Sequence, residues 1–237
     1  MATDLDKVLF DEFAENYEEA CHQGLALTGE SRDYYARRRV ELLGSIGSSN
    51  RPIKSIVDFG CGLGHTAPLL AASFPDATIL GIDPEPKTIR RARLTYGSDR
   101  IAFGQDFPED QVETVDLVYC NGVFHHIAPA ERPPHLARIL QWLRPGGCFA
   151  LWENNPWNPG TRLVMRRIPF DRDAVLVTAL EAKRMLRTAG FHVESARFHF
   201  YFPAFLRALR PMEGAFTRVP FGGQYCVLAT KPNRVCR

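Results

Sequence analysis

One short stretch constrains the fold of this chain more than any other: residues 57–65, "VDFGCGLGH". A β-branched apolar run, "KSIVDFG", leads into glycines at alternate positions, Gly60, Gly62 and Gly64. Apolar β-branched runs of this length read as buried strands. Glycine behind one lets the backbone take left-handed conformations and removes the Cβ that would hold a ligand away. The same rhythm then repeats. Strands are expected at 77–83, 100–107, 115–122 and 148–154, with helices at 66–73, 85–95 and 130–143, the last closed by "RPGG". Strands separated by helices imply a parallel sheet covered on both faces, an α/β chain.

Both ends break this rhythm. Residues 1–50 are helical in pattern and rich in aromatics ("FDEFAENYEEA", "DYYARRRVELL"), which suits a leader or lid. Residues 51–237 then form the main domain, with irregular insertions at about 155–177 and 202–222 rich in proline, glycine and arginine. A helix ending at Gly190 is followed by β-rich stretches at 191–201 and 224–230. With 237 residues, one sizeable core is the expectation.

Charge and cysteine usage exclude several classes. A net charge of +2 carries no demand for nucleic acid or an anionic surface. The six cysteines show neither CxxC pairs nor zinc spacing, so they read as reduced thiols of a cytoplasmic protein. The first residues, "MATDLDKVLF", lack the pattern of a signal peptide, and no run of 18 apolar residues is present.

Three kinds of nucleotide ligand can use a glycine turn of this sort. A P-loop would need GK[ST], which does not follow. A dinucleotide site would have GxGxxG, whereas here the third glycine comes one place early. Asp58, two residues before the first glycine, would also oppose a pyrophosphate. S-adenosylmethionine (SAM) has no phosphate and carries a sulfonium and an ammonium that Asp58 would favour. Asp83 at the end of the second strand, before Pro84, is placed to accept from ribose hydroxyls. Gln105, Asp106 and Phe107 ("GQDF") offer an acid and an aromatic face at the end of the third strand.

Taken together, "VDFGCGLGH", "GIDPEP", "GQDF", "VDLVYCNGVFHHI" and "LRPGGCFAL" resemble the class I SAM-dependent methyltransferases of small-molecule type, over about residues 53–154 by motif. The resemblance implies a doubly wound, seven-stranded, mostly parallel sheet whose last strand is antiparallel. It also implies SAM as cofactor and S-adenosylhomocysteine as product. Gly60, Cys61, Gly62 and Gly64 would lie around the methionine end with Asn121, Asp83 on the ribose, and Asp106 and Phe107 near adenine; Cys61 sits at a variable position of the motif and receives no role of its own.

Methyl transfer is an in-line displacement, so alignment and a dry pocket matter most, and a hydroxyl acceptor also gains from a base. His125 and His126 follow the fourth strand, where the acceptor would sit. Neighbouring residues point differently, and by comparison with the family His126 is the one expected to face the site. Glu153 ends the fifth strand and is expected at the mouth, with Asn154 and Trp157 beside it. By the same resemblance Tyr17 would reach the methionine end or the acceptor from the leader, with Tyr34 and Arg38 as further lid residues. "NNPW" is superficially similar to a motif of adenine amino-methyltransferases but follows the wrong strand.

The leading expectation is therefore methyl transfer to a hydroxyl or carboxylate oxygen of a small molecule, a natural product or a glycan or lipid-linked intermediate. N- or C-methylation and a SAM-binding regulator are the alternatives. An NAD-linked oxidoreductase would have to tolerate GxGxG and Asp58. No appended basic arm points to RNA. The acidic ligand set of catechol-type enzymes is not evident, so no metal is expected.

Overall fold

Side-chain alternation at period two decides the architecture. Ile56, Leu117, Tyr119, Ala150 and Trp152 are buried on one face of the sheet, and Val57, Val118, Cys120, Phe149 and Leu151 on the other. Strands apolar on both faces must be covered on both, which only flanking helices achieve for parallel strands. The computed structural model describes residues 23–44, 52–108, 111–171 and 174–233.

The strands are β1 (Ser55–Phe59), β2 (Thr78–Ile82), β3 (Ile101–Gly104), β4 (Val115–Asn121), β5 (Leu143–Asn154), β6 (His192–His199) and β7 (Gln224–Thr230). They form one sheet in the order β3-β2-β1-β4-β5-β7-β6. Pairings are parallel from β3 to β5, and β7 runs antiparallel to both β5 and β6. This is the seven-stranded, doubly wound α/β sheet that the resemblance implied, with its last strand reversed.

The helices are α1 (Arg32–Gly44), α2 (Ala67–Ser73), α3 (Pro86–Tyr96), α4 (Arg132–Trp142), α5 (Pro159–Arg167), α6 (Ala179–Thr188) and α7 (Glu213–Phe216). Expected boundaries hold to within one or two residues except at the third strand, which ends at Gly104 and not at 107, and around "LRPGG". There β5 begins directly at Leu143, because Val115 and Leu143 already pair across a bulge. The helix α1, drawn from the expected leader, buries Ala36, Val40 and Leu43 and belongs to the same apolar cluster as α2 and α3. Residues spaced i, i+4 and i+7 form one helical stripe, so α1 is a layer of the core.

The chain winds outward from β1 to β3 and then crosses back to β4. The strand order reverses between β1 and β4, and the crevice beyond their carboxyl ends is where α/β sheets bind ligands. Of the two insertions, the second contains a 3-10 segment (Ala204–Met212) and α7. Arg210 fastens it to the amino-terminal segment, pairing with Glu30 at 2.6 Å and lying over the Tyr34 ring. Among the described residues, no helix is long and apolar enough to cross a membrane.

Candidate active site

The glycine turn is closed beneath and open above. Gly60 and Gly64 have φ of +71° and +79°. A Cβ on Gly60 would come within 2.4 Å of Val123, and one on Gly64 within 2.7 Å of the Phe103 ring. Only glycine satisfies both the backbone and the space at these positions. A Cβ on Gly62 would meet nothing within 4 Å, so its face of the turn is free to receive a ligand. Gly60 and Cys61 N–H donate to the Ile82 carbonyl at 2.8 and 3.0 Å, and Gly62 N–H donates to Asp83 Oδ2 at 3.0 Å. Asp83 Oδ1 accepts from Glu85 N–H at 3.1 Å. Asp83 thus clamps the turn to the end of β2, and its oxygens keep further lone pairs for a hydroxyl.

Two buried acceptors beside this turn, Asp58 Oδ2 and Asn121 Oδ1, have no hydrogen-bond partner among the described residues. Orphaned acceptors cost free energy unless a ligand donates to them. Burial, and then the charge of Asp83, push the Asp58 carboxyl up to about 7. A cationic, donor-rich group would relieve both the charge and the missing hydrogen bonds. The residues present therefore fit the methionine end of SAM.

The expected adenine side looks different. Phe107 is buried against Trp142 with ring centroids 4.8 Å apart, so that face is taken by the core. Asp106 accepts two hydrogen bonds from Arg138 at 2.6 and 2.7 Å and one from Phe107 N–H. The Gln105 amide donates to the Pro84 carbonyl at 3.3 Å, tying the ends of β2 and β3 together. The Cys61 thiol is buried and pushed up by that burial, an inert packing group.

Next to Asn121 and Gly122 a cavity of about 440 Å³ opens between the ends of β4 and β5, α1 and both insertions. Arg32, Tyr34, Arg39, His125, His126, Asn154 and Asp171 are among its walls. Arg39 is 6 % exposed and donates to Tyr119 Oη at 3.1 Å and Gln224 Oε1 at 3.0 Å, which fixes α1 to the sheet. Gln224 in turn donates to Asn154 Oδ1 at 3.0 Å.

The two histidines do not point apart. Their rings lie 4.2 Å apart and both aim at Asp171: His125 Nε2 at 3.5 Å and His126 Nε2 at 3.3 Å from Oδ1. His125 Nδ1 meets Glu153 Oε2 at 2.6 Å, and Glu153 Oε1 accepts the Phe124 N–H at 2.8 Å. Burial by itself would lower the His125 pKa, but Glu153 and Asp171 outweigh it and push it up to about 10. Asp171, opposed by burial but favoured by both histidines, is held down at about 2. A histidine held as a cation between carboxylates cannot take up a proton, so His125 does not serve as a base here.

Other expected residues fall elsewhere. Glu153 is 1 % exposed, behind His125 and not at the mouth, its carboxylate held by Phe124 N–H and His125 Nδ1 of the loop after β4. Arg38 pairs with Glu41 on the solvent face of α1, and Trp157 is 47 % exposed; neither lines the cavity. Tyr17 lies outside the described residues. Phe205, Leu206 and Leu209 of the second insertion are exposed, with Phe205 at 79 %. Sequence reasoning missed Arg39 and Asp171. Arg39 had a signal, since it flanks Val40 on the inward stripe of α1. Asp171, in an irregular insertion, had none.

Comparison with known proteins follows this geometry. Residues 57–149 match the family described as "Methyltransferase domain". The trans-aconitate 2-methyltransferase of Methylobacterium nodulans is 36 % identical over 143 residues, covering 57 % of this chain and 52 % of that protein. The chain spans about half the length of the curated relatives it matches. A SAM-dependent methyltransferase from Archaeoglobus fulgidus superposes with a TM-score of 0.63 at 15 % identity, covering 85 % of this chain and 95 % of that one. A TehB-like SAM-dependent methyltransferase from Corynebacterium glutamicum gives 0.60 at 20 % identity, covering 93 % and 99 %. These two likenesses establish the shared fold.

Proposed function

We propose that this chain is a class I SAM-dependent methyltransferase, a reading that its matched domain and its sheet support, and that it methylates a carboxylate oxygen of a small acidic molecule. The observation that carries the reading is the continuity of two features at Asn121. The open face of Gly62, with the orphaned Asp58 and Asn121 oxygens, adjoins a cavity whose walls include Arg32 and Arg39. The curated relatives are named for trans-aconitate, a tricarboxylate, which is the class of acceptor that such arginines suit.

SAM, when bound, supplies a methyl group on a cationic sulfur that an oxygen displaces in line. Asp58 and Asn121 would receive its donors, the Gly60–Gly64 turn would approach its methionine end, and Asp83 would accept from the ribose. Arg39 cannot swing, being fixed by Tyr119 and Gln224, so it holds an anionic acceptor at one distance from Asn121. A carboxylate arrives already deprotonated, and its transfer needs alignment more than a base. That matches a site where both ring nitrogens of the buried His125 face carboxylates, leaving neither free to act as a base. The Arg210–Glu30 pair joins the second insertion to the amino-terminal segment, with Arg210 over the ring of Tyr34 in the cavity wall.

A hydroxyl acceptor is the second reading, favoured by His126, whose Nε2 stands 3.3 Å from Asp171 within the cavity wall. Methyl-labelled SAM with a panel of di- and tricarboxylates and hydroxylated analogues separates the two. Transfer to a carboxylate gives label that mild alkali releases as methanol. Alkali-stable label on oxygen, nitrogen or carbon overturns the carboxylate reading, and tight SAM binding without any transfer favours a binding protein.

A further inference from the structure

We propose that His125, His126 and Asp171 form a site for a divalent transition-metal ion of the zinc class, set in the wall of the acceptor cavity. Sequence reading expected no metal, because Asp171 is brought to the histidines only by the fold.

Distances argue against a plain ion cluster. A charge-assisted hydrogen bond settles at about 2.7–2.9 Å, and His125 and Glu153 come closer still at 2.6 Å. Asp171 Oδ1 instead stands 3.5 Å from His125 Nε2 and 3.3 Å from His126 Nε2. Zinc bonds of about 2.0–2.1 Å in a tetrahedron put neighbouring ligand atoms about 3.4 Å apart. The three ligand atoms all lie within 4.8 Å of one another. His125 Nε2 is also buried with no hydrogen-bond partner among the described residues, an orphaned atom aimed at the gap.

The surroundings are those of a built site. Glu153 accepts from His125 Nδ1, fixing the ring and directing Nε2 inward, as carboxylates behind metal-binding histidines do. Glu153 is itself held by the Phe124 N–H. Asp171 is placed by its own N–H to the Ile168 carbonyl at 3.1 Å. The segment after it is pinned by Val175 N–H to the His125 carbonyl at 3.0 Å and by Tyr225 Oη to the Val177 carbonyl at 2.8 Å. Two imidazoles and one carboxylate favour zinc, cobalt, manganese or iron(II) over calcium or magnesium, which take mainly oxygen. All three residues line the cavity, so a further coordination position faces the acceptor. An acceptor oxygen or water would occupy it.

The test uses the whole chain without SAM or acceptor, so its outcome is independent of the methyl-donor reading. After chelator treatment, equilibrium dialysis against Zn²⁺ with elemental analysis should give one ion per chain. His126→Ala and Asp171→Asn should each weaken binding by at least tenfold, and Glu153→Gln by about 10–100-fold. Cobalt(II) in the same site should show visible absorption that His126→Ala abolishes. The His126 side chain is 24 % exposed, so His126→Ala is expected to stay folded and, in chelator, to keep the wild-type S-adenosylhomocysteine affinity. Zinc uptake by the wild type no greater than by His126→Ala, or uptake unchanged in both variants, overturns the proposal.

Discussion

Glu153 and His125 meet at 2.6 Å with side chains 0 % and 2 % exposed, joining the end of β5 to the loop after β4. Removing one partner of a buried ion pair costs about 3–5 kcal/mol, but Glu153→Gln keeps the shape and an acceptor for Phe124 N–H, so a loss of about 1–3 kcal/mol is expected. The pH dependence identifies the cause. A histidine whose folded pKa is raised from 6.5 to about 10 adds stability that is complete below 6.5 and fades as pH climbs to about 10. In chelator, urea titrations should show the gap between wild type and Glu153→Gln narrowing over that window. A gap independent of pH contradicts a cationic His125.

Gly60 and Gly62 should respond differently to the same change. Gly60→Ala drives a Cβ into Val123 and should cost about 1–3 kcal/mol of folding stability. Gly62→Ala adds a Cβ where nothing lies within 4 Å, leaving only the strain of φ +52°, about 1–2 kcal/mol. Thermal melts should rank Gly60→Ala as the less stable, while Gly62→Ala stays folded yet loses S-adenosylhomocysteine binding by tenfold or more. Unchanged affinity in Gly62→Ala means that the ligand does not cover this face.

Asp58 should make cofactor binding depend on pH. Its carboxyl is pushed up to about 7 by burial and Asp83, with Arg39 and Arg32 opposing. A raised acid pKa means protonation as pH falls through 7, which removes the negative charge facing a cationic ligand. Affinity for SAM should therefore drop between pH 8 and pH 6, by at most tenfold per unit, and Asp58→Asn should flatten the profile. Calorimetry across that range measures both.

Arg39 should separate acceptor from cofactor. Arg39→Lys keeps the charge but loses the two-pronged hold on Tyr119 and Gln224. Hydrogen bonds to a charged group are worth about 1.5–3 kcal/mol, so KM for a carboxylate acceptor should rise by ten- to a hundredfold. Affinity for S-adenosylhomocysteine should hold. Parallel losses in both would assign Arg39 to the packing of α1 alone.

What could be read from the sequence was local. The strand, glycine turn and helix around residues 57–73 follow from adjacent residues, and so did the strand series and its reversal after Gly190. Asp58 was chosen by ligand chemistry, Gly62 and Asn121 through the resemblance, and the structure brings all three to one crevice. Misreadings arose where a residue's surroundings come from distant chain. Glu153 ends a strand, yet the loop after β4 covers it with Phe124 and His125; Phe107 is aromatic at a strand end, yet Trp142 takes its face. The histidine pair could not be oriented without Asp171, and Arg39 was hidden among exposed neighbours in "RRRV".

If the glycine turn and its orphaned acceptors hold SAM, they hold its product as well. Isothermal titration of the purified chain with S-adenosylhomocysteine, with NAD as the competing ligand, decides this. One binding site per chain is expected, at least tenfold weaker in Asp83→Ala, with no heat from NAD. Binding of NAD in its place, or no binding of S-adenosylhomocysteine by a folded chain, rules out SAM at this turn.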